Sequence, residues 1–294
     1  MSSAKIEGMT RALSELSPMR PVGRVTGATG GLIQVSGLTA AARLGDRVSL
    51  GLSRNATEGE IVRITTAGLE CLLEVAADGV HLGDPVLLCP RRGFAPNAAW
   101  IGRVLDPDGR PLDGRPLVPG TEVRDPRAHP LPARSRRPLG GRLATGLAVF
   151  DTLLPLARGQ RLGLFAGSGV GKSTLLADLA RGVDADVIVI GLVGERGREV
   201  RHFVEDVLGP DGMARSVVVA ATSDKPPQLR RRCAWAATTI AEHFRDEGLQ
   251  VLLLIDSVTR FAEAHREIAA TVGEASLLRG YPSSTGPEIA ALCE

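Results

Sequence analysis

The chain has 294 residues, room for one large domain or two smaller ones around a sizeable core. Apolar residues make up 44% and charged residues 23%, an ordinary composition for a soluble protein. A net charge of +2 is too small to draw nucleic acid or a membrane by bulk electrostatics, and no apolar run is long enough to span a bilayer. The N-terminus lacks a signal-peptide core, so a cytoplasmic protein is expected. Cys71, Cys89, Cys233 and Cys293 are scattered without a Cys-x-x-Cys pair and suggest neither a disulfide framework nor a zinc site.

Residues 1–20 are polar and mixed, a short helix or a tail. From Pro21 to Pro90 the text becomes short β-like runs cut by glycine, at 23–26, 31–35, 46–50, 59–64, 69–75 and 82–88. Strands at this spacing predict a small barrel or sandwich. Between Arg91 and Gly141 proline and glycine are frequent, and Asp106-Pro107-Asp108-Gly109 and Leu112-Asp113-Gly114-Arg115-Pro116 are turn sequences. The basic run Arg134-Ser135-Arg136-Arg137-Pro138 reads as a solvated connector, with an anionic contact as the other reading.

Beyond Gly141 strand and helix signals alternate. Arg161–Phe165, Val187–Val193, Ser216–Ala220 and Val251–Ile255 are nearly all apolar, as strands covered on both faces must be. One helix is predicted over about 228–247, opened by Pro226-Pro227 and closed by Gly248; another over about 257–272, closed by Gly273. The class is α/β with a parallel sheet. Arg230, Arg231 and Arg232 read as a solvated helix face, with a subunit interface as the other reading. Trp235, Ile240 and Phe244 read as packing residues. His81, His129, His202, His243 and His265 show no metal spacing and read as surface or half-buried structural residues.

The chemistry concentrates in Ala166-Gly167-Ser168-Gly169-Val170-Gly171-Lys172-Ser173-Thr174, set between an apolar run and Leu175, Leu176, Leu179 and Ala180 at helical spacing. Strand, glycine-rich turn, then helix is the context of a phosphate-binding loop. The glycines let backbone N–H groups converge on phosphate oxygens, and the helix N-terminus adds positive charge there. Lys172 supplies a full charge to the terminal phosphates, and the Ser173 hydroxyl is a Mg²⁺ ligand. Ala166 replaces the usual first glycine, which a negative φ tolerates.

Two further carboxylates fit the same site. Val251-Leu252-Leu253-Leu254-Ile255-Asp256 puts an acid at the tip of a buried strand, as a metal anchor, as the cap of the following helix, or as both at once. Gly194-Glu195-Arg196-Gly197-Arg198-Glu199 follows another strand, at the carboxyl edge where open α/β sheets bind ligands. Glu195 there is either a proton acceptor for attacking water or part of a salt-bridged surface loop.

Taken together, Ala166–Thr174, Gly194–Val200, Leu253–Ala269 and Arg279-Gly280-Tyr281-Pro282 resemble the flagellar and type III secretion export ATPase family, itself similar to the catalytic subunit of rotary ATP synthases. The resemblance runs from about Val22 to the last residue. Asp256-Ser257-Val258-Thr259-Arg260-Phe261-Ala262 with Arg266-Glu267-Ile268-Ala269 favours the secretion branch over the synthase branch. Val35-Ser36-Gly37-Leu38 with Leu44–Val48 leans toward the flagellar side.

The resemblance implies an N-terminal β-barrel at 21–90 and a RecA-like ATPase domain at 91–294. It implies ATP and Mg²⁺ as cofactors. Gly167, Ser168, Gly169, Val170, Gly171, Lys172, Ser173 and Thr174 would bind nucleotide, and Ser173 and Asp256 would hold the metal. Lys172 becomes the β/γ-phosphate clamp, Glu195 polarises the attacking water, and Arg196 and Arg260 stand on the γ-phosphate side. The implied assembly is a homo-oligomeric, hexameric ring with stator and stalk proteins, chaperones and exported proteins as partners, without nucleic acid, and at most peripheral to the inner membrane.

Members of that family continue far beyond the equivalent of Glu294, so the chain reads as C-terminally shortened. The part beyond includes a strand beside the phosphate-loop strand, an arginine that reaches a neighbouring subunit's site, an adenine shelf and a helical domain. The expectation is weak Mg-ATP binding and very slow turnover without complementation, because an arginine finger is worth about 10³–10⁵ in rate. Other readings are a non-catalytic ATP-binding remnant acting with a full-length relative, a rotary synthase subunit, and a ring-type helicase. Residues 21–90 contain no Phe, Tyr or Trp on which bases could stack, which argues against the helicase.

Overall fold

The computed structural model describes residues 19–52, 56–89, 94–127, 132–167 and 169–294. The expectations for the N-terminal tail, the 90/91 boundary, Ser168 and His129 involve positions outside these residues. The chain divides into two units. One comprises 1–92, 225–229 and 262–285; the other comprises 93–224, 230–261 and 286–294.

In the first unit, β1 (Val22–Thr29), β2 (Leu32–Ser36), β3 (Arg47–Leu50), β4 (Thr57–Thr65), β5 (Gly68–Leu73) and β6 (Pro85–Leu88) close into a barrel of order β1-β2-β5-β4-β3-β6. All its pairings are antiparallel. Each of the six runs read from the sequence is a strand, and closure decides between barrel and sandwich. Alternate residues point inward: Ile33 and Val35 on β2, Leu69 and Cys71 on β5 are all buried. Burial pushes the Cys71 thiol up to about 12. Gln228 is fully buried in this unit and donates from Nε2 to Leu73 O at 3.0 Å and Leu72 O at 3.4 Å.

The second unit holds a parallel sheet of order β12-β10-β11-β7, formed by β7 (Arg103–Leu105), β10 (Val187–Glu195), β11 (Ser216–Thr222) and β12 (Val251–Asp256). A two-stranded ribbon, β8 (Arg142–Leu143) with β9 (Leu156–Ala157), accompanies it. The helices along the chain are α1 (Lys172–Gly182), α2 (Gly197–His202), α3 (Gly209–Met213), α4 (Pro227–Asp246), α5 (Val258–Thr271) and α6 (Thr285–Cys293), with a π-helical turn at Phe203–Leu208; the first three residues of α4 and most of α5 belong to the first unit. Strand parity sorts the core. Val187, Val189, Val193, Val217 and Val219 share one cluster with Cys233, Ala237, Ile240 and Phe244 of α4. Ile188, Ile190, Leu192, Val218 and Ala220 share the other with Leu176, Ala177 and Ala180 of α1 and with Phe203 and Leu208. Both faces are covered, which is why these strands are apolar throughout. Cys233 Sγ donates toward Leu192 O and Val219 O, both at 3.4 Å, and burial pushes this thiol to about 12.

Four expectations are corrected. The run Arg161–Phe165 forms no strand: among the described residues no strand lies against it, β12 pairs only with β10, and Phe165 is 99% exposed. An apolar run needs a hydrogen-bonded neighbour to become a strand. The turn-rich stretch 91–141 contains β7, too short for a periodic signal and recruited by pairing with β11. Arg231 and Arg232 are not solvated. Arg231 is buried with its guanidinium 4.9 Å from the Trp235 ring, and Arg232 donates to Asp108 at 2.8 Å. His243 and His265 are buried rather than half-exposed. Among the described residues no helix is long and apolar enough to cross a membrane.

Candidate functional site

Helix α1 begins directly out of the glycine-rich loop. Its N-cap is Gly171 at φ 90°, ψ 16°, a left-handed position that suits a residue without Cβ, and Leu175 N–H donates to Gly171 O at 2.9 Å. Leu176, Ala177, Leu179 and Ala180 bury the inner face of the helix. Gly167, Gly169, Val170, Gly171, Ser173 and Thr174 are exposed. Ala166 is not among the left-handed residues, so its Cβ carries no strain. A pocket beside the loop is lined by Leu164, Phe165, Ala166, Val170, Gly171, Lys172 and Leu175.

Lys172 is the first residue of α1, and its Nζ donates to Asp256 Oδ1. Asp256 ends β12 and is 4% exposed. It does not cap α5. That role falls to Ser257, whose Oγ accepts from Arg260 N–H at 3.4 Å, leaving the Asp256 carboxylate for the loop lysine.

Glu195 ends β10 after a break in the sheet. Gly194 sits at φ 69°, and the register against β11 skips between Val193 and Glu195, so that Glu195 faces Thr222. Such a bulge re-aims the side chain that follows it. Burial, a hydrogen bond to the Glu199 carboxyl and the negative charge of Asp256 all push the Glu195 carboxyl above the usual range, against the pull of Arg260. Arg260 donates from Nη1 to Gly194 O at 3.2 Å. Arg196 stands apart, its side chain 64% exposed and 3.8 Å from Glu199.

The fold thus gathers Lys172, Asp256, Glu195 and Arg260, while Arg196 faces solvent. Glu199 was read from the sequence as part of its motif without a role of its own. Its contact with Glu195 depends on the turn from β10 into α2, which no local spacing reports. A hydroxyl at Ser173 and a carboxylate at Asp256 are hard oxygen donors, the set a Mg²⁺ ion takes, so the residues present fit that ion.

The profile of the ATP synthase alpha/beta family, nucleotide-binding domain, matches residues 146–294, just over half of the chain. The chain belongs to that family. This alpha/beta-family chain is 45% identical over 275 residues to a flagellum-specific ATP synthase of Agrobacterium fabrum, covering 92% of its own length and 58% of the relative's. It is 41% identical over 305 residues to a type 3 secretion system ATPase of Xanthomonas euvesicatoria, covering 97% and 65%. The assembled ATPase EscN of the enteropathogenic E. coli type III secretion system superposes with a TM-score of 0.83 at 34% identity, over 92% of this chain and 65% of EscN. EscN has also been seen in complex with its central stalk EscO. The architecture is therefore that of the alpha/beta family: a RecA-like P-loop sheet preceded by a small barrel. The chain spans about three-fifths of the length of these relatives.

Proposed function

We propose that this chain binds ATP and hydrolyses it with Mg²⁺ to energise protein export through a flagellar or type III secretion apparatus. The observation that carries the reading is the convergence of Lys172, Asp256 and Glu195 at the carboxyl ends of β10 and β12. Backbone N–H groups from Gly167 to Gly171, with Ser168, Val170 and Thr174, cradle the phosphates, and Lys172 clamps their terminal charge. Ser173 and Asp256 hold Mg²⁺, which when bound neutralises charge developing on the phosphates. Glu195 orients the attacking water and accepts its proton; its raised affinity for protons suits it to that task. Arg260, held on Gly194 O, stands on the γ-phosphate side, whereas Arg196, exposed beside Glu199, reaches it only by swinging inward.

EscN is assembled and has a central stalk as partner, which supports a working form that is oligomeric with a stalk partner; the same reading takes the oligomer as a ring peripheral to the inner membrane, with chaperones and exported proteins as clients. The functional division is a barrel at 21–90 and an ATPase domain at 91–294. The test is phosphate release and nucleotide binding by the wild type beside Lys172→Ala and Glu195→Gln. The lysine variant is expected to lose nucleotide binding. The glutamine variant is expected to bind normally and lose turnover at least about 100-fold. Turnover of E195Q equal to wild type overturns the role of Glu195, and binding by K172A equal to wild type overturns the loop.

A further inference from the structure

The last carbonyls of a helix have no partner within it and must be met from outside. In α1 the ladder stops with Val183 N–H on Leu179 O at 2.9 Å; Asp184 N–H then turns to Ala144 O and Ala185 N–H to Val183 O. Arg215 meets the carbonyls that follow. Its Nη2 donates to Ala180 O and Arg181 O, both at 2.7 Å, and its Nη1 to Ala185 O at 3.1 Å and Val183 O at 3.2 Å. One guanidinium fork thus holds four carbonyls around the end of one helix, with a full positive charge at the negative end of its dipole. The backbone of Arg215 is fixed as well: its carbonyl accepts from Ile188 N–H at 2.9 Å, where the pairing of β10 with β11 begins.

A second contact fixes the same helix end. A Cβ built on Gly182 would lie 2.1 Å from Thr145 O, so the backbones touch there. Thr145 is in turn held through its N–H and its hydroxyl by Asp151. The foot of α1 is therefore clasped by Arg215 and Thr145, about 16 Å from Lys172 at its head. Leu176, Ala177 and Ala180 pack the helix on the sheet, but apolar contact is non-directional and fixes its height along the strands only weakly. The hydrogen bonds at the foot set that height.

We propose that Arg215 is a positioning residue for the phosphate loop, acting through α1 from its far end. The inference rests on the nucleotide reading given above. The loop amides converge on a phosphate only when the head of α1 stands at the right height against the carboxyl ends of β10 and β12. A helix of about three turns moves as one piece, so whatever releases its foot shifts its head. A misplacement of about 1 Å caused by a remote change can cost about 100-fold in function.

The test measures thermal unfolding and the binding of N-methylanthraniloyl ATP in excess MgCl₂, on the whole chain as wild type, Arg215→Gln, Arg215→Lys and Asp113→Asn. Asp113 is held by Arg103 of β7 and by Arg115, so D113N weakens the same unit without touching α1. Binding is read well below each midpoint, where the chain is folded. R215Q and D113N are both expected to melt below wild type. R215Q is expected to bind at least about tenfold more weakly than wild type, D113N to bind as wild type does, and R215K, which keeps the charge without the fork, to fall between R215Q and wild type. R215Q affinity equal to wild type overturns the positioning role and leaves the nucleotide site standing. So does a D113N chain that loses as much affinity as R215Q, since the loss then follows stability and not the foot of α1. If R215Q does not fold, R215K decides: affinity equal to wild type overturns the proposal, and so does failure of both variants to fold. Wild type that does not bind overturns the nucleotide site and the positioning role with it.

Discussion

At the scale of single residues, the site depends on one backbone conformation. Gly194 is left-handed, and a Cβ built there would meet Arg230 Cδ and Arg260 Cβ at 3.5 Å, an ordinary contact. The cost of Gly194→Ala is therefore conformational rather than steric, about 1–2 kcal/mol. Denaturant unfolding is expected to report that loss. Phosphate release is expected to fall by more than the stability loss explains, because Glu195 follows the bulge. A G194A chain as stable and as active as wild type would remove the bulge from the account. Neighbouring residues divide labour in the same way at Asp256 and Ser257. One is committed to the ion pair, the other to the helix cap.

At the scale of elements, the second unit is anchored by an ion pair that the sequence did not advertise. Arg103 on β7 holds Asp113 with two bonds, at 2.5 Å and 2.8 Å, and its side chain is 9% exposed. Asp113→Asn leaves a buried guanidinium underpaired and is expected to cost about 3 kcal/mol at neutral pH, read as a drop in unfolding midpoint. The Arg103 guanidinium holds the Asp113 carboxyl well below the usual carboxylate range. A depressed folded-state pKa adds stability that is fully present above the unfolded value near 4 and is lost as pH falls through the folded one. The gap between wild type and D113N is therefore expected to stay constant down to about pH 4 and to shrink below it. A gap unchanged in acid would show that the charge is not the cause.

The same elements show what was legible in the sequence. The barrel strands were readable because alternating apolar residues and turn glycines are local signals. So were β10, β11 and β12, whose runs are apolar throughout, and α4 and α5, whose ends carry Pro or Gly. The phosphate loop was legible because its function constrains consecutive residues. What escaped was whatever depends on a partner in space. Three residues at β7 become a strand by lying along β11, while Arg161–Phe165, with stronger local text, has no neighbour and stays irregular. Arg231 and Arg232 look solvated in sequence and are instead spent on Trp235 and Asp108. The Lys172–Asp256 contact joins residues far apart in the chain, and no spacing rule reports it.

At the scale of the whole molecule, β12 is the edge of the sheet that carries the site, and its outer side meets no strand among the described residues. The exposed Phe165 and the half-exposed Leu162 belong to the run that failed to pair.

Each unit also has a thiol sealed in its core, Cys71 in the barrel and Cys233 on α4 against β10 and β11. Both are held up to about 12 by burial, so neither reacts while its unit is closed, whereas Cys293 is exposed. Pulsed alkylation across a denaturant series, read site by site, is expected to label Cys293 from the start and Cys71 and Cys233 only on opening, with the half-buried Cys89 followed separately. Early labelling of either core thiol in native buffer would contradict the packing described. If Cys71 and Cys233 are labelled at the same midpoint, barrel and sheet melt as one cooperative block; if the midpoints separate, the chain passes through a state with one unit folded and the other open. Two native cysteines thus make the protein its own two-channel recorder of cooperativity, with no probe added.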